Sequence, residues 1–329
     1  MKESLLSLCE SFIQNRDAVK SAFGWDSAYI YPVCAAIFTD KRLPADPGRM
    51  KECRAMLKEA TGIFSNFRGT ARLAMISLLA ADADPGEKLQ RSLSAYATLK
   101  ERFLASQYLP VASMIIADLA EPERFTKIAE RTRRIYERMK QEHPLLTSSE
   151  DSVFCALLAL SDLPDAQIVE KTERCYTLLK PRFFSGNAVQ SLSHVLALGD
   201  AEPESGCERT LALFEELKRM GYPYGVRYEL PTLGVLALIP EDIPTIAGNV
   251  TDAADWLKQQ RGYGFFGVGR AQRLMHAGML VTSDYLGAQK RPSMTSAAIG
   301  ATISLIAAQQ AAICAAIAAS SAASASASS

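Results

Sequence analysis

Residues 121–140 read EPERFTKIAERTRRIYERMK, and the spacing inside this stretch indicates an amphipathic helix. Its core-facing positions recur at steps of 3, 4, 3 and 4: Phe125, Ile128, Thr132, Ile135 and Met139. Proline and acidic residues at the beginning suit the positive end of a helix, and a lysine at the finish suits the negative end. The stretch therefore predicts a helix that buries one stripe.

The end of this stretch, a lysine preceded by Leu or Met, returns along most of the chain. The pairs are Leu57-Lys58, Leu99-Lys100, Met139-Lys140, Leu179-Lys180, Leu217-Lys218 and Leu257-Lys258. The steps between successive lysines are 42, 40, 40, 38 and 40 residues. A period of this size is typical of stacked helix pairs.

Two further features repeat with the lysines. A proline with acidic neighbours precedes each amphipathic stretch, at Pro85, Pro122, Pro164, Pro203 and Pro240. Ahead of each proline lies a short segment that is apolar around most of its circumference, such as residues 75–79 and 156–160. We call the short apolar helix of each predicted pair the A helix and the amphipathic one the B helix. The A helices are expected to be covered on more than one side.

These patterns predict an all-α fold, an α-solenoid of about six helix hairpins of roughly 40 residues. We expect a capping helix over residues 1–23 and the hairpin array over residues 24–286. An Ala-rich C-terminal helix is expected over residues 293–319, with a disordered Ala/Ser tail over residues 320–329. Closure of the array into an α/α toroid is the alternative topology.

The composition limits which partners and which cellular compartment we expect for this protein. The chain has 36 Lys+Arg and 36 Asp+Glu, so it lacks the broad positive field that nucleic acid needs, and we expect no nucleic-acid partner. The seven cysteines are scattered without a Cys-x-x-Cys pair, which indicates buried thiols in a reducing compartment. Acids at Glu3 and Glu10 interrupt any secretory signal, so we expect a cytoplasmic protein.

The stretch after Pro292 carries no charge and is rich in Ala and Ser. Its length would allow a membrane span, which makes a tail anchor one hypothesis. Gln309 and Gln310 in its middle, and the weak hydrophobicity of alanine, favour a close-packed helix that is buried or docked on an identical chain. We therefore expect no membrane association.

Two stretches 82 residues apart resemble each other. Gln190 and His194 follow an aromatic and glycine loop at Phe184, and Gln272 and His276 follow a similar loop at Phe266. Residues four apart share a helix face. One hypothesis is a polar site with His194 or His276 as acid/base and Gln190 or Gln272 binding substrate. The competing interpretation is structural: both pairs would bond backbone carbonyls of the preceding loop.

Residues 262–267 read GYGFFG and match the dinucleotide fingerprint Gly-x-Gly-x-x-Gly. The fingerprint requires a preceding strand, whereas a helical stretch precedes it here, so we predict no nucleotide cofactor. Gly262 is instead expected to take the left-handed conformation that follows a helix. Two histidines without acidic or thiol ligands at suitable spacing also predict no metal site.

The run from the N-terminal helix through Phe184 and His194 to the Ala-rich end with Gln309 and Gln310 resembles an uncharacterised bacterial family, common in Firmicutes and known only as a domain of unknown function. The resemblance covers nearly the entire chain. It implies a bacterial, cytoplasmic protein and carries over no catalytic or binding residue.

No sequence motif assigns a function to this protein. The leading hypothesis is a scaffold that binds a protein partner through its helical array, with self-association through the C-terminal helix as a subsidiary expectation. The alternative is an enzyme with a central cavity in an α/α toroid that uses His194 and His276.

Overall fold

The computed structural model describes residues 1–24, 30–63, 65–69, 71–264 and 267–288. In these ranges the chain forms fourteen α-helices and two 3₁₀ turns, and no strand occurs there. The prediction of an all-α protein is confirmed. No helix within these same ranges has both the length and the apolar character needed to cross a bilayer. The predicted C-terminal helix (293–319) and tail (320–329) lie outside the described residues.

The helices alternate between the two predicted kinds after α1, which spans Glu3–Ala22. The A helices are α2 Ile30–Asp40, α4 Arg72–Ala80, α6 Leu109–Leu119, α8 Asp151–Ala159, α10 Gly186–Ala197, α12 Leu230–Ala237 and α14 Arg270–Ala288. The B helices are α3 Pro47–Ala60, α5 Pro85–Lys100, α7 Phe125–Glu142, α9 Asp165–Leu179, α11 Pro203–Arg219 and α13 Ile243–Lys258. The 3₁₀ turns are Asn66–Arg68 and Pro122–Arg124.

The B helices begin largely where proline and acids predict. Pro85 and Pro203 are the first residues of α5 and α11. The Asp84 carboxylate accepts the backbone N–H of Glu87 at 2.9 Å and so satisfies one of the free donors at the start of α5. Pro164 occupies the position just before α9.

Pro240 does not begin α13. The helix starts three residues later, at Ile243, because Asp242 is the residue that can cap it. Its carboxylate accepts the backbone N–H of Thr245 at 2.9 Å, and a different proline, Pro244, lies in the first turn. Proline alone was too coarse a marker of this boundary.

Burial separates the two kinds of helix. Every residue of α4 from Leu73 to Ala80 is buried, as is every residue of α6 from Leu109 to Ala117. In α9, by contrast, the buried residues are confined to one stripe: Ile168, Thr172, Cys175 and Leu179. The prediction that A helices are covered all round and B helices on one face is confirmed.

The described chain divides into two compact units. One, the 11–129 unit, packs α2, α4 and α6 against one another in series, with α3 and α5 alongside. The other, the 130–288 unit, also includes Met1–Glu10 and packs α8, α10, α12 and α14 in series. In the 130–288 unit α9, α11 and α13 form a second series beside the first.

A basic side chain of the B helix binds the carboxyl end of the following A helix. We call these the clamp residues, and each donates to a backbone carbonyl at or just after the end of that helix: Arg49 to Ala80 (2.9 Å), Arg91 to Ala117 (3.0 Å), Arg131 to Ala159 (3.0 Å), Lys171 to Gly199 (2.9 Å) and Arg209 to Ala237 (2.8 Å). The last carbonyls of a helix have no partner within it and carry its negative dipole end, so a cation there satisfies and stabilises them.

Candidate functional site

The predicted site residues lie on A helices of the 130–288 unit. Gln190 and His194 are on α10, and Gln272 and His276 are on α14. Gln190, His194 and His276 are buried, and Gln272 is half-buried. Phe266 of the second loop lies outside the described residues.

Gln190 binds a hydroxyl group that lies 43 residues earlier in the chain. Its Nε2 donates to Oγ1 of Thr147 at 2.9 Å, and the Thr147 hydroxyl in turn donates to the backbone carbonyl of Met139 at 3.2 Å. The Oε1 atom of Gln190 is buried without a hydrogen-bond partner. The side chain therefore connects the beginning of α10 to the loop that precedes α8.

His194 has no solvent-exposed surface, and neither of its ring nitrogens has a hydrogen-bond partner. Its Nδ1 lies 3.8 Å from the Asp151 carboxylate, which is too far for a hydrogen bond. The centre of its ring is 5.3 Å from that of Phe154. Burial, and next the nearby charge of His143, lowers the pKa of His194 to about 3, so the ring is neutral at pH 7 and forms no ion pair with Asp151.

Asp151 is the first residue of α8 and is itself buried. One carboxylate oxygen accepts the backbone N–H of Ser148 at 2.8 Å. Burial raises the pKa of Asp151 to about 7, because removal from water disfavours the charged form more than the Ser148 hydrogen bond favours it. Thr147 thus lies beside Gln190, and Asp151 lies beside His194. In both segments the two residues are four positions apart.

The second pair has different partners. Nε2 of Gln272 donates to the Tyr228 hydroxyl at 2.9 Å, and Nδ1 of His276 lies 2.8 Å from the Tyr263 hydroxyl. Tyr263 is fully buried. Gln190 and Gln272 each reach a hydroxyl in the loop before the preceding A helix, whereas the structural interpretation had assigned backbone carbonyls of the adjoining loop.

A profile described as "Protein of unknown function (DUF4003)" matches residues 15–311. The chain belongs to this family. The resemblance to a domain of unknown function is thereby confirmed, and no residue role comes to this DUF4003 chain with it. No curated protein and no solved structure matches the sequence.

The geometry of these pairs suits a packed polar contact better than chemistry on a substrate. A general acid or base must reach the proton it transfers, and His194 lies wholly inside the protein. Among the described residues of this DUF4003 chain, no group of three His, Cys, Asp or Glu side chains is placed to hold a metal ion. Gly262 has φ of 89°, which confirms the left-handed conformation predicted for it.

A charged cluster around the buried Lys88 in the 11–129 unit escaped the sequence analysis. Lys88 on α5 is buried, and its Nζ lies 2.5 Å from Asp118 and 3.3 Å from Asp82. The pKa of neighbouring Lys41 is lowered, mainly because the side chain is removed from water and secondly because the positive charge of Lys88 is near. Asp82 lies just after the end of α4, and Asp118 lies in the last turn of α6. The two ion pairs therefore connect α4 and α6 to α5.

The clamp residues also escaped the sequence analysis, although the sequence held a signal for them. Each lies nine residues before one of the repeated lysines, as Arg49 does before Lys58 and Arg209 before Lys218. At the sixth such position the residue is Asn249. A search for a second periodic basic position would have found them.

Proposed function

We propose that this member of the DUF4003 family is an α-solenoid of about six helix hairpins that acts as a scaffold for a protein partner. The observation that carries the proposal is the recurrence of the clamp. The five clamp residues are separated by 42, 40, 40 and 38 residues, and all bind the carboxyl end of the A helix that follows. A contact repeated at this period supports one structural unit copied along the chain.

Stacked helical hairpins bury their core between neighbours, and so leave long surfaces free for partners. The packing within each unit supports this reading, since A helices lie beside A helices and B helices beside B helices. The six described cysteines are buried, which supports a reducing compartment such as the cytoplasm.

The test is affinity capture with the full chain from an extract of the organism that encodes it. We expect a protein partner recovered in stoichiometric amount. The control is an unrelated tagged protein of similar charge at the same concentration. Recovery of no stoichiometric partner by the folded chain would overturn the scaffold proposal.

The enzyme alternative, an α/α toroid with His194 and His276 as acid/base, is the weaker proposal. Burial of both histidines, and the hydrogen bond of His276 to Tyr263, count against it. The tail-anchor hypothesis concerns residues outside the described ranges. Solubility of the full chain without detergent tests it.

A further inference from the structure

Two cysteines on neighbouring B helices of the 130–288 unit have their thiols in contact. Cys175 lies in the third turn of α9, and Cys207 lies in the second turn of α11. The Cys207 thiol donates to the backbone carbonyl oxygen of Cys175 at 3.8 Å, and it also hydrogen-bonds to the Cys175 thiol. Because α9 and α11 pack against each other, the two thiols meet between successive hairpins.

The thiol pair lies next to an exposed ion pair that joins the same two helices. Arg174, the residue before Cys175, binds the carboxylate of Glu204 at 2.6 Å, and Glu204 is three residues before Cys207. Both charged side chains are exposed, whereas Cys175 and Cys207 are 1% and 2% exposed. Exposed ion pairs contribute little to stability. Local opening at this contact therefore gives a small oxidant access to the thiols without unfolding of the helices.

The surroundings of Cys175 favour its thiolate. The pKa of Cys175 is lowered, first because the Cys207 thiol donates to the thiolate sulfur and then because the Lys171 ammonium group is near, while burial and Glu204 act in the opposite direction. The contact with Cys175 also raises the pKa of Cys207. The thiolate is the reactive form of cysteine, so Cys175 is the attacking thiol and Cys207 is the protonated thiol beside it.

Three other cysteines show the opposite behaviour. Burial raises the pKa of Cys9 to about 12, and it also raises the pKa of Cys53 and of Cys155. The Cys155 thiol donates to Sδ of Met139 at 3.6 Å, and a thioether sulfur cannot complete a disulfide. These three thiols are therefore held in the protonated, unreactive form.

We propose that Cys175 and Cys207 are the site of a reversible disulfide that forms with hydrogen peroxide as the oxidant. The Cys175 thiolate attacks one peroxide oxygen, the O–O bond breaks, and hydroxide leaves and takes up a proton, which gives a sulfenic acid on Cys175 and one water molecule. The Cys207 sulfur then attacks the Cys175 sulfur, the S–O bond breaks, and hydroxide leaves as water with the proton of Cys207. Each sulfur loses one electron and the peroxide gains two.

The disulfide would join α9 to α11 and close a loop that contains the whole of α10. Thiols that are already in hydrogen-bond contact reach the S–S bond length of about 2.0 Å by a small movement of the side chains and helices. In a reducing compartment such bonds are transient, and a dithiol reductant restores both cysteines by thiol–disulfide exchange. This modification does not depend on whether the chain binds a protein partner.

Peptide mass spectrometry of the peroxide-treated full chain tests the proposal. The folded chain is treated with hydrogen peroxide, the remaining thiols are blocked with N-ethylmaleimide in denaturant, and the protein is digested without reduction. We expect a linked pair of peptides that contain Cys175 and Cys207, and we expect dithiothreitol to separate them. A treated chain that keeps both thiols, or that is oxidised without a link between these two, would overturn the proposal.

The rates of oxidation in the same sample provide an internal control. Cys175 should be consumed at least about tenfold faster than Cys155, because each pKa unit between two thiols changes the thiolate fraction about tenfold. The rate at Cys175 should reach half its maximum below pH 8.5, the usual pKa of a cysteine being about 8.5. Equal rates at Cys175 and Cys155 would show that the pair is not selected by its surroundings, which contradicts the proposal.

Cys207→Ser and Cys155→Ser are the matched variants. Cys207→Ser keeps a hydrogen-bond donor but removes the second thiol, so the sulfenic acid on Cys175 should persist and be trapped by dimedone. Cys155→Ser removes a buried thiol outside the pair, and the linked peptides should form as in the unmodified chain. Absence of a dimedone adduct on Cys175 in folded Cys207→Ser, shown by circular dichroism, would overturn its assignment as the attacking thiol. If Cys207→Ser does not fold, the linked peptides of the unmodified chain decide the question.

Discussion

At the scale of single residues, Asp151 is the buried ionisable group with the clearest thermodynamic signature. Its pKa is about 7 in the folded chain and is expected near 3.9 in the unfolded chain. Between these values the folded state binds more protons, so the contribution of Asp151 to stability is present below pH 4 and is lost as the pH rises through 7. His194 acts in the opposite sense, because its pKa is lowered to about 3. Its contribution is present above pH 6.5 and is lost as the pH falls through 3.

The variant Asp151→Asn isolates the pH-dependent contribution of Asp151 to stability. The amide oxygen can still accept the Ser148 N–H, but it cannot ionise. Relative to this variant, the unmodified chain should lose about 1.4 kcal/mol of stability per pH unit at most between pH 4 and 7. Urea unfolding at several pH values measures the difference. A difference that does not change with pH would show that Asp151 titrates normally.

The hydrogen bond between Gln190 and Thr147 gives a second prediction. Thr147→Val leaves the Gln190 amide unpaired in the interior and should cost about 1–3 kcal/mol. Addition of Gln190→Leu should recover part of that loss, because both polar partners are then gone. Thr177→Val, at an exposed threonine of α9, is the control and should cost less than about 0.5 kcal/mol. Strict additivity of the Thr147 and Gln190 variants in urea unfolding would contradict the contact.

At the scale of elements, the clamp explains how a B helix selects the A helix that follows it. Arg209 of α11 donates to the carbonyls of Ala237 and Ile239 at 2.8 and 2.5 Å, and also to that of Glu241. These bonds hold the carboxyl end of α12 and the turn after it. The partner of the clamp is backbone, so the A helix can vary in sequence while the contact is kept.

Arg209→Met keeps the length of the side chain and removes its donors. It should lower the free energy of unfolding by about 1.5–3 kcal/mol, because hydrogen bonds to a charged group are lost at a partly buried site. Arg219→Met on the same helix removes one exposed ion pair and should cost no more than about 1 kcal/mol. Chemical denaturation of both variants makes the comparison. If both variants lose the same free energy of unfolding, the clamp contributes no more to stability than an exposed ion pair does.

At the scale of the whole molecule, the subsidiary proposal is self-association through the uncharged C-terminal stretch. Light scattering of the full chain and of a chain ending before Pro292 tests this. We expect a dimer for the former and a monomer for the latter, because small side chains allow two helices to approach closely. The same one-chain mass for both proteins would exclude this dimer.

The spacing of apolar residues was enough to predict the helices and their kinds. The stripe from Phe125 to Met139 and the continuous apolar run of α4 are local patterns, and local patterns survive into the fold because burial must follow the helical period. Pro240 precedes α13 as predicted, but the first residue of the helix depends on one side chain, Asp242, that can reach the free backbone donors.

By itself, then, the sequence determined an all-helical chain of alternating A and B helices, a lysine at the end of each B helix, and membership of a family without an assigned role. Only the tertiary structure decided that His194 is buried without a hydrogen-bond partner, that Gln190 binds Thr147, and that the clamp residues bind backbone carbonyls. The physical reason is that helix formation depends on residues close in sequence, whereas these contacts join distant residues and several of them involve backbone atoms. A helix follows from neighbours three and four residues apart, whereas these contacts join residues 26 to 43 positions apart, and a backbone carbonyl is the same in every residue type.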